Sequence, residues 1–412
     1  MGRRRLLFLS HLLPWPPDSG AAIRTFNVLK LLAREFDVTA LCFYRRDPHP
    51  GSPGLAERVR ELSKVAPTEA FEVPQQLSRA RLVWDHLRSL LTWRPYTYYV
   101  HDSSAFAASL ERHLATGEFD MVHMDSLDLI RFLPLLRGLP VACTHHNVES
   151  ALLRRRADTV GAPLRAYMRF QARLVEREER EWLPRVQLNL AVSPQDEADL
   201  SSLAPTGRYA TIPNGVDTEF FSPAESTGAE SGSVFVGGTN WFPNRDGLEW
   251  FAADVLPRIR QLGESSPVRW VGHATAEEQR EFGGRQGLEL TGYVTDIRPY
   301  VHAAACFVVP LRVGGGTRLK VLDAWAMGKA VVSTSVGCEG LATEHERNIL
   351  IADSADDFAR CVLRVLEDDA LRRRLGSEAR RTAVARYGWE VLGRELAALY
   401  YSVLERPERV AV

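Results

Sequence analysis

A glycine-rich turn followed by two basic residues has the clearest chemical potential in this sequence. An apolar run at 305–309 precedes three glycines at 314–316, and Arg318 and Lys320 follow in a stretch of helical periodicity that ends at Gly328. A strand, a glycine loop and a helix in this order place the free N–H groups of a first helical turn where they bind anions. Cations are unfavourable at the positive end of a helix unless an anion accompanies them. The pattern therefore predicts a phosphate site, although a plain glycine-rich turn with two solvated basic residues would look the same.

The elements that would position this turn alternate along the whole chain. Short apolar runs predict strands at 5–10, 38–43, 69–73, 120–124, 139–144 and 187–192, and then at 233–236, 267–271, 287–291, 305–309, 330–333 and 349–351. Helical periodicity predicts helices after Gly20, at 55–65, 76–92, 103–115, 149–157, 163–183, 354–385 with a break near Asp368, and 389–405. Such alternation favours parallel sheets covered on both faces. Composition becomes loop-like at 204–230, which predicts α/β domains over 1–210 and 211–385, each doubly wound, with 386–412 as a helix that crosses back to the first domain.

Composition limits the function classes. With 51 Lys and Arg against 52 Asp and Glu, the net charge of −1 argues against a nucleic-acid partner. The five cysteines have no paired or metal-ligand spacing, and reduced thiols suit a cytoplasmic protein. The basic and apolar residues at 3–9 resemble the start of a signal peptide, but Ser10, His11 and a proline cluster end the run early, so we interpret it as the first strand. No apolar stretch reaches the ~18 residues of a spanning helix.

One helical segment combines basic, aromatic and apolar residues. Within 76–99 lie Trp84, Trp93 and several leucines and arginines, and a second basic region contains Arg154, Arg155, Arg156, Arg165, Arg169 and Arg173. Such a helix is able to lie on an anionic membrane surface. An ordinary surface helix whose apolar side packs in the core explains the segment slightly better. We therefore predict a cytoplasmic protein, with peripheral contact to the inner membrane face as one of two interpretations.

Six short segments, in order along the chain, carry a family resemblance. They are Gly20 with Arg24, Val192-Ser193, 212–221, 235–238 with 241–244, Gly292-Tyr293-Val294 with Asp296, and 310–340, followed by Tyr387-Gly388-Trp389 at the end. Together they resemble the family-4-type retaining glycosyltransferases (glycosyl transferases group 1). That family has the GT-B fold, in which two Rossmann-like domains face a cleft. The resemblance implies transfer of a sugar from a nucleotide-diphosphate sugar to an acceptor hydroxyl with retention, in cell-surface polysaccharide or glycolipid synthesis.

The donor residues that the resemblance implies depart from the family pattern. Asp323 stands where the second glutamate of the Glu-x7-Glu motif would accept from the ribose hydroxyls, and Gly315 stands where the first glutamate is expected. This resembles a subgroup with the pattern G-x-G-T-R-x-K. Backbone amides of Gly315, Gly316 and Thr317 would then meet the sugar or phosphate.

The family's phosphate-binding cations after its Val-Gly-Gly strand are also missing, since 239–244 reads Thr-Asn-Trp-Phe-Pro-Asn. Arg318 and Lys320 are the natural replacements, and Gly238 would approach the donor. Both cations should belong to a surface cleft and not to the core. No Asp-x-Asp cluster accompanies them, so we expect the leaving diphosphate to be stabilised by cations and a helix terminus, without a metal cofactor.

In the first half, the resemblance places His146 at the reacting carbon of the sugar, although the adjacent Asn147 would also fit as a helix cap. Gly20 matches the family's glycine loop near the donor phosphates. His123 and Asp125 follow a predicted strand and are candidates for acceptor contact, while core packing explains His123 equally well.

Other functions remain open at this level. A non-hydrolysing nucleotide-sugar epimerase shares the architecture but fits the 212–221 and 241–244 segments poorly. A nicotinamide enzyme would need G-x-G-x-x-G after the first strand, and 14–20 lacks that spacing. A catalytically silent protein that binds sugar nucleotides is compatible with the missing glutamate, and donor hydrolysis without acceptor would distinguish it from an enzyme.

Overall fold

The chain divides into two compact units. Unit 1 comprises Met1–Pro213 with Gly393–Val412, and unit 2 comprises Asn214–Leu392. This computed structural model describes residues 2–46, 53–136, 138–224, 230–314 and 318–405. The division after Pro213 lies close to the predicted boundary at residue 210, and the segment predicted to cross back, 386–412, is divided at Gly393.

Among the described residues, unit 1 has a sheet of seven parallel strands in the order β3-β2-β1-β4-β5-β6-β7. These strands are β1 (Arg5–Ser10), β2 (Asp37–Tyr44), β3 (Thr68–Glu72), β4 (Met121–Met124), β5 (Val141–Thr144), β6 (Leu188–Ala191) and β7 (Tyr209–Thr211). The central strand β1 pairs with both β2 and β4, so that Leu6 lies opposite Val38 on one side and Met121 on the other. The strand order therefore reverses next to β1.

Helices cover both faces of this sheet. They are α1 (Gly20–Glu35), α2 (Leu55–Ser63), α3 (Arg79–Thr92), α4 (Thr97–Val100), α5 (Ser104–Ala115), α6 (Glu149–Ala157), α7 (Ala162–Trp182) and α8 (Pro194–Leu203), and 3₁₀ turns occur at 74–76, 127–136 and 183–185. Side chains of a strand alternate between faces. Leu6 and Phe8 accordingly join one apolar cluster, while Leu7 and Leu9 join another. Both faces of β1 are buried, as its continuous apolar run predicts.

The described part of unit 2 repeats this design with six parallel strands, in the order β10-β9-β8-β11-β12-β13. The strands are β8 (Ser233–Val236), β9 (Val268–Val271), β10 (Leu288–Gly292), β11 (Cys306–Val309), β12 (Val331–Ser333) and β13 (Leu350–Ile351). The helices are α9 (Phe242–Trp250), α10 (Leu256–Gln261), α11 (Ala276–Phe282), α12 (Arg298–Ala303), α13 (Leu319–Ala326), α14 (Ala355–Glu367), α15 (Asp369–Tyr387) and α16 (Trp389–Glu405), with a π turn at 251–255 and 3₁₀ turns at 285–287 and 336–338. The last helix, α16, continues into unit 1 from Gly393.

The predicted fold class, two doubly wound parallel-sheet α/β domains, is confirmed. The strand β7 and the helices α4, α8, α9, α10, α11 and α12 were not predicted. Strand β7 has only three half-buried residues in a segment rich in Pro, Gly and Thr, so it carries no apolar run to find. Within unit 1, the end of α16 contributes Leu396, Tyr400 and Val403 to the cluster that contains Leu6.

The helix α3 has its apolar side outward. Its buried residues, within the described chain, are Asp85 and Ser89. Asp85 accepts a hydrogen bond from Arg81 Nε at 2.8 Å, and Ser89 accepts one from Gln171 Nε2 of α7 at 2.9 Å. The exposed large apolar residues of α3 and its flanks are Leu77, Leu82, Val83, Trp84, Leu87, Leu90, Leu91 and Trp93. The interpretation that placed the apolar side of this helix in the core is therefore wrong, because polar groups make the packing contacts instead.

Candidate active site

Each sheet reverses its strand order at one point, next to β1 in unit 1 and next to β8 in unit 2. The carboxyl ends of parallel strands lie along one edge, and ligands of open α/β sheets bind beyond that edge at the reversal. Candidate ligand-binding residues are therefore expected in the segments that follow β1, β4 and β5 in unit 1, and β8 and β11 in unit 2.

In unit 2 this edge is built from glycines. Gly237 and Gly272 directly follow β8 and β9, and a Cβ on Gly272 would lie 2.7 Å from the carbonyl carbon of Gly237. Gly237 has φ of 153°, and its own Cβ would lie 2.8 Å from Lys320 Nζ. The predicted donor residue Gly238 follows, where a Cβ would lie 2.6 Å from Asn240 Oδ1. The backbone here lies directly beside a cation, which larger side chains would displace.

Lys320 occupies the first turn of α13 and is half-buried. Its Nζ donates to Asn244 Oδ1 at 2.7 Å and lies 4.1 Å from the ring centroid of Phe235, a cation–π contact. Asn244 Nδ2 in turn donates to the carbonyl of Gly238 at 2.8 Å. Burial, and then the charge of Arg318, lower the pKa of Lys320 to about 7. The ammonium is therefore held in place by neutral partners, and an anion at this position would restore its charge.

Arg318 precedes α13 as its N-cap and is buried, with Nε donating to the carbonyl of Val336 at 3.2 Å. A Cβ on Gly314 would lie 3.1 Å from Arg318 Nη1, so the guanidinium lies against the backbone of Gly314. The prediction that both cations lie outside the core is wrong for Arg318, because its side chain is buried and bonds to the backbone of Val336. The predicted donor residues Gly315, Gly316 and Thr317 lie outside the described residues.

Asp323 stands one turn further along α13 and is half-buried. Burial raises the pKa of its carboxyl to about 7, although the charge of Lys320 opposes that rise. The carboxyl of Asp323 and the ammonium of Lys320 thus both have a pKa of about 7, and they lie one helical turn apart. Perturbed pairs of this kind concentrate at functional sites.

In unit 1 the corresponding edge carries a buried carboxylate, Asp125, directly after β4. Thr25 Oγ1 donates to Asp125 Oδ2 at 2.6 Å and Ser10 Oγ donates to the same oxygen at 3.3 Å. Burial alone would raise the pKa of Asp125, but the positive potential and hydrogen bonds of His146 and His123 hold it well below its usual range. The carboxylate is therefore ionised at neutral pH.

Two histidines, which follow β1 and β5, lie beside this carboxylate. His146 Nε2 lies 3.6 Å from Asp125 Oδ2 and donates to the backbone carbonyl of Asp125 at 3.0 Å. His11 Nδ1 lies 3.7 Å from the same carboxylate oxygen. His146 and His11 are partly exposed, so their rings are able to meet a ligand while Asp125 acts through them.

His123 has a different environment. It is fully buried, stacks on Phe8 with ring centroids 4.4 Å apart, and shares a hydrogen bond of 2.5 Å between Nδ1 and Tyr400 Oη. This arrangement matches the core interpretation of His123 and leaves its ring closed to an acceptor. Gly20, the remaining predicted residue of unit 1, is exposed and begins α1 after the N-cap Ser19.

Sequence reasoning missed several members of these clusters. Arg24 entered only through the family resemblance, yet it is buried, donates from Nη2 to the carbonyl of Ile212 at 2.8 Å, and interacts with the charge of Asp125. His11 directly follows β1, a position at a strand end that would have marked it. Asn244, which accepts a hydrogen bond from Lys320, lies in the Trp-Phe-Pro-Asn segment, but nothing in that segment indicated its contact with Lys320.

Two family models match the chain and together span most of it. Residues 231–368 match the glycosyl transferases group 1 and residues 19–220 match Glycosyltransferase Family 4. Both matched segments are therefore similar to glycosyltransferase domains.

Individual relatives agree with this assignment. The phosphatidyl-myo-inositol mannosyltransferase of Mycobacterium tuberculosis is 26% identical over 321 residues, which cover 74% of this chain and 79% of the relative. The lipopolysaccharide core biosynthesis glycosyltransferase LpsE of Rhizobium meliloti is 30% identical over 112 residues, or 26% of this chain and 31% of the relative. Among solved structures, Anabaena HepE in complex with UDP superimposes with a TM-score of 0.67 at 14% identity, over 97% of this chain and all of HepE. The last likeness is one of fold.

Proposed function

We propose that this glycosyltransferase moves a sugar from a nucleotide-diphosphate sugar to an acceptor hydroxyl with retention at the anomeric carbon. The observation that carries the proposal is the pair Arg318 and Lys320 at the start of α13. Burying two cations at the positive end of a helix is costly unless an anion with several negative charges binds there. A diphosphate supplies that charge.

The donor side of the proposal draws on unit 2. Lys320 is held by Asn244 beside the glycine edge, where Gly237 leaves room for a phosphate oxygen to approach the ammonium. Asp323, in its ionised form, would accept hydrogen bonds from the ribose hydroxyls. HepE is described with bound UDP, and the mycobacterial relatives include a GDP-mannose-dependent mannosyltransferase, which supports a nucleotide-diphosphate donor here as well.

The proposed reaction breaks the bond between the anomeric carbon and the diphosphate oxygen. The acceptor oxygen forms its bond on the same face of the sugar, and its proton passes to the departing diphosphate oxygen. Arg318 and Lys320 stabilise the charge that develops on that diphosphate, and His146 positions the sugar through a hydroxyl. This scheme requires no metal ion, since the cations and the helix terminus perform the stabilisation.

A donor panel tests the proposal. Purified protein is mixed with UDP, GDP and ADP sugars, and binding is followed by thermal shift while release of nucleoside diphosphate reports turnover. We expect one donor to stabilise the fold and to be hydrolysed slowly without acceptor. Stabilisation with no release in the presence of any acceptor would instead identify a silent sugar-nucleotide-binding protein. The anomeric configuration of the product, read by NMR, would contradict retention if it were inverted.

We further propose that unit 1 contacts an anionic membrane surface through α3 and receives its acceptor there. The exposed face of this helix carries Trp84, Leu87 and Leu91, and Leu91 is 76% exposed. The arginines at 154–156 and 165, 169 and 173 are also exposed on α6 and α7, which supplies positive charge in the same unit. Within the described ranges, no helix is long and apolar enough to cross a bilayer. Several relatives act on lipids by name, phosphatidyl-myo-inositol among them.

Vesicle sedimentation at low salt tests this contact. Vesicles with anionic lipid should retain the protein, and the double variant Trp84→Ser/Leu91→Ser should reduce the bound fraction because it removes apolar area that enters the interface. Leu262→Ser is the matched control, since Leu262 is a similarly exposed apolar residue of unit 2. Equal binding of the double variant and the wild type would remove α3 from the proposal.

A further inference from the structure

His11, Asp125 and His146 form a compact set of potential metal ligands in unit 1. They follow β1, β4 and β5, and their nearest ligand atoms, His11 Nδ1, Asp125 Oδ2 and His146 Nε2, all lie within 4.8 Å of one another. The sequence shows no ligand spacing because the three residues lie far apart along the chain. The sheet brings them together at the point where its strand order reverses.

The distances fit a small divalent cation. Zinc binds imidazole nitrogen at about 2.0–2.1 Å and carboxylate oxygen at about 2.0–2.2 Å, so two tetrahedral ligand atoms lie roughly 3.3–3.5 Å apart. The two histidine nitrogens lie 3.7 and 3.6 Å from Asp125 Oδ2. Shifts of a few tenths of an ångström would close the site. Two imidazoles and one carboxylate, with further positions open, match the donor set that zinc sites use.

The site is oriented and accessible. Thr25 Oγ1 donates to Asp125 Oδ2 at 2.6 Å and so orients the carboxylate, as an outer-shell partner does for a metal ligand. The side chains of His11 and His146 are 19% and 16% exposed, whereas that of Asp125 is fully buried. An ion would therefore enter from the imidazole side. Binding through Nε2 requires the His146 tautomer with its proton on Nδ1, so the hydrogen bond from Nε2 to the Asp125 carbonyl is given up when the ion binds.

We propose that His11, Asp125 and His146 bind a divalent transition-metal ion, with Zn²⁺ as the natural occupant, and that the bound ion excludes the sugar from His146. The binding itself is independent of the proposed glycosyl transfer, whereas the inhibition rests on it. The ion is thus an inhibitor at the site of the sugar and not a cofactor of the transfer reaction.

Cobalt substitution tests the binding. Full-length, EDTA-treated protein without a histidine tag is titrated with Co²⁺, which gives visible d–d absorption in a site of N and O ligands. We expect one ion per chain, displaced by Zn²⁺. His11→Gln and Asp125→Asn should each weaken binding by at least about 100-fold, since loss of even an outer-shell partner costs 10–100-fold. His113→Gln is the control, because His113 Nε2 lies 2.9 Å from Glu69 in a histidine–carboxylate contact of another part of unit 1.

Several results would overturn this inference. Absence of a d–d band in the wild type, or a band of full strength in His11→Gln, would show that these residues do not bind the ion. Circular dichroism shows whether the Asp125→Asn variant is folded. If it is not, the His11→Gln variant decides the test, because His11 is partly exposed and its replacement should leave the fold intact. With binding established, unchanged donor hydrolysis under saturating Zn²⁺ would disprove the exclusion of sugar. Absence of turnover by the metal-free protein with every donor, in a preparation that binds Co²⁺ fully, would contradict the proposed function and leave the metal site standing.

Discussion

The two units share one strand order and differ in the chemistry of the edge where that order reverses. In unit 1 the edge presents Asp125 with His11 and His146, groups that orient neutral hydroxyls. In unit 2 it presents Gly237 beside Lys320 and Arg318, a close backbone and two cations that suit phosphate. The same order of strands thus carries two chemically different sets of side chains, and the difference lies in the residues beyond the strand ends.

The largest effect should come from the cations of unit 2. Lys320→Met keeps most of the side-chain volume but removes the charge that we propose stabilises the leaving diphosphate, and loss of one such group costs about 10²–10³ in turnover. Arg318→Gln should cost as much. Thermal unfolding of each variant distinguishes a loss of catalysis from misfolding. This control is needed for Arg318 in particular, because its side chain is buried. Arg312→Ala, in the exposed pair with Asp246, is the control and should keep wild-type turnover. Full activity of Lys320→Met would show that unit 2 does not read phosphate through this helix.

In unit 1, the neighbours His145 and His146 should behave oppositely. His146→Ala should lower turnover by about 10²-fold, since a misplaced reactant costs that much, and should leave the melting temperature nearly unchanged. His145 is buried and bonds through Nε2 to Asn189 Oδ1 at 2.9 Å. His145→Ala should therefore destabilise the fold by about 1–3 kcal/mol, the cost of an unsatisfied buried amide. Chemical denaturation and single-turnover assays measure the two effects. A stability loss for His146→Ala equal to that of His145→Ala would make His146 structural.

The pH dependence of donor binding should report on two residues of unit 2, Asp323 and Lys320. Asp323 must be ionised to accept from ribose, and its raised pKa of about 7 means that affinity falls as pH drops below 7. Lys320 must be protonated, and its lowered pKa of about 7 means that affinity falls as pH rises above 7. Isothermal titration of the donor should give a maximum near neutrality, with affinity changing by about tenfold per pH unit on each side. Asp323→Asn should remove the acidic limb and Lys320→Arg the alkaline limb. A flat profile in the wild type would exclude both groups from the donor site.

The smallest effect concerns surface residues of both units. Leu91→Ser in α3 and Leu262→Ser in unit 2 should each change the free energy of unfolding by no more than about 0.5 kcal/mol, because neither side chain packs in a core. Urea denaturation measures both. A loss of several kcal/mol for Leu91→Ser would show that the outer face of α3 is packed, and the membrane proposal would lose its basis.

Apolar runs predicted nearly every strand, because a strand buried on both faces has little choice of residue. Periodicity also located α3, but it does not indicate which side of a helix is buried. In α3 the polar side is buried, because Asp85 and Ser89 form hydrogen bonds with Arg81 and Gln171. Prediction of the candidate site was limited in the same way, because local patterns do not show which distant residues meet. Arg318 and Lys320 are visible because they adjoin a glycine run, whereas the meeting of His11 with Asp125 and His146 depends on strand order, which no local pattern encodes.

The return of the chain to unit 1 has a consequence for its synthesis. Unit 1 is interrupted after Pro213, and it receives Leu396, Tyr400 and Val403 only when the final residues emerge. Until then His123 lacks the Tyr400 hydroxyl, and the cluster around Leu6 is missing part of its apolar lining. Unit 2, a continuous segment, has all of its strands before that point. On the ribosome the second half of the sequence is therefore able to complete its core first, and the half that begins the chain finishes last.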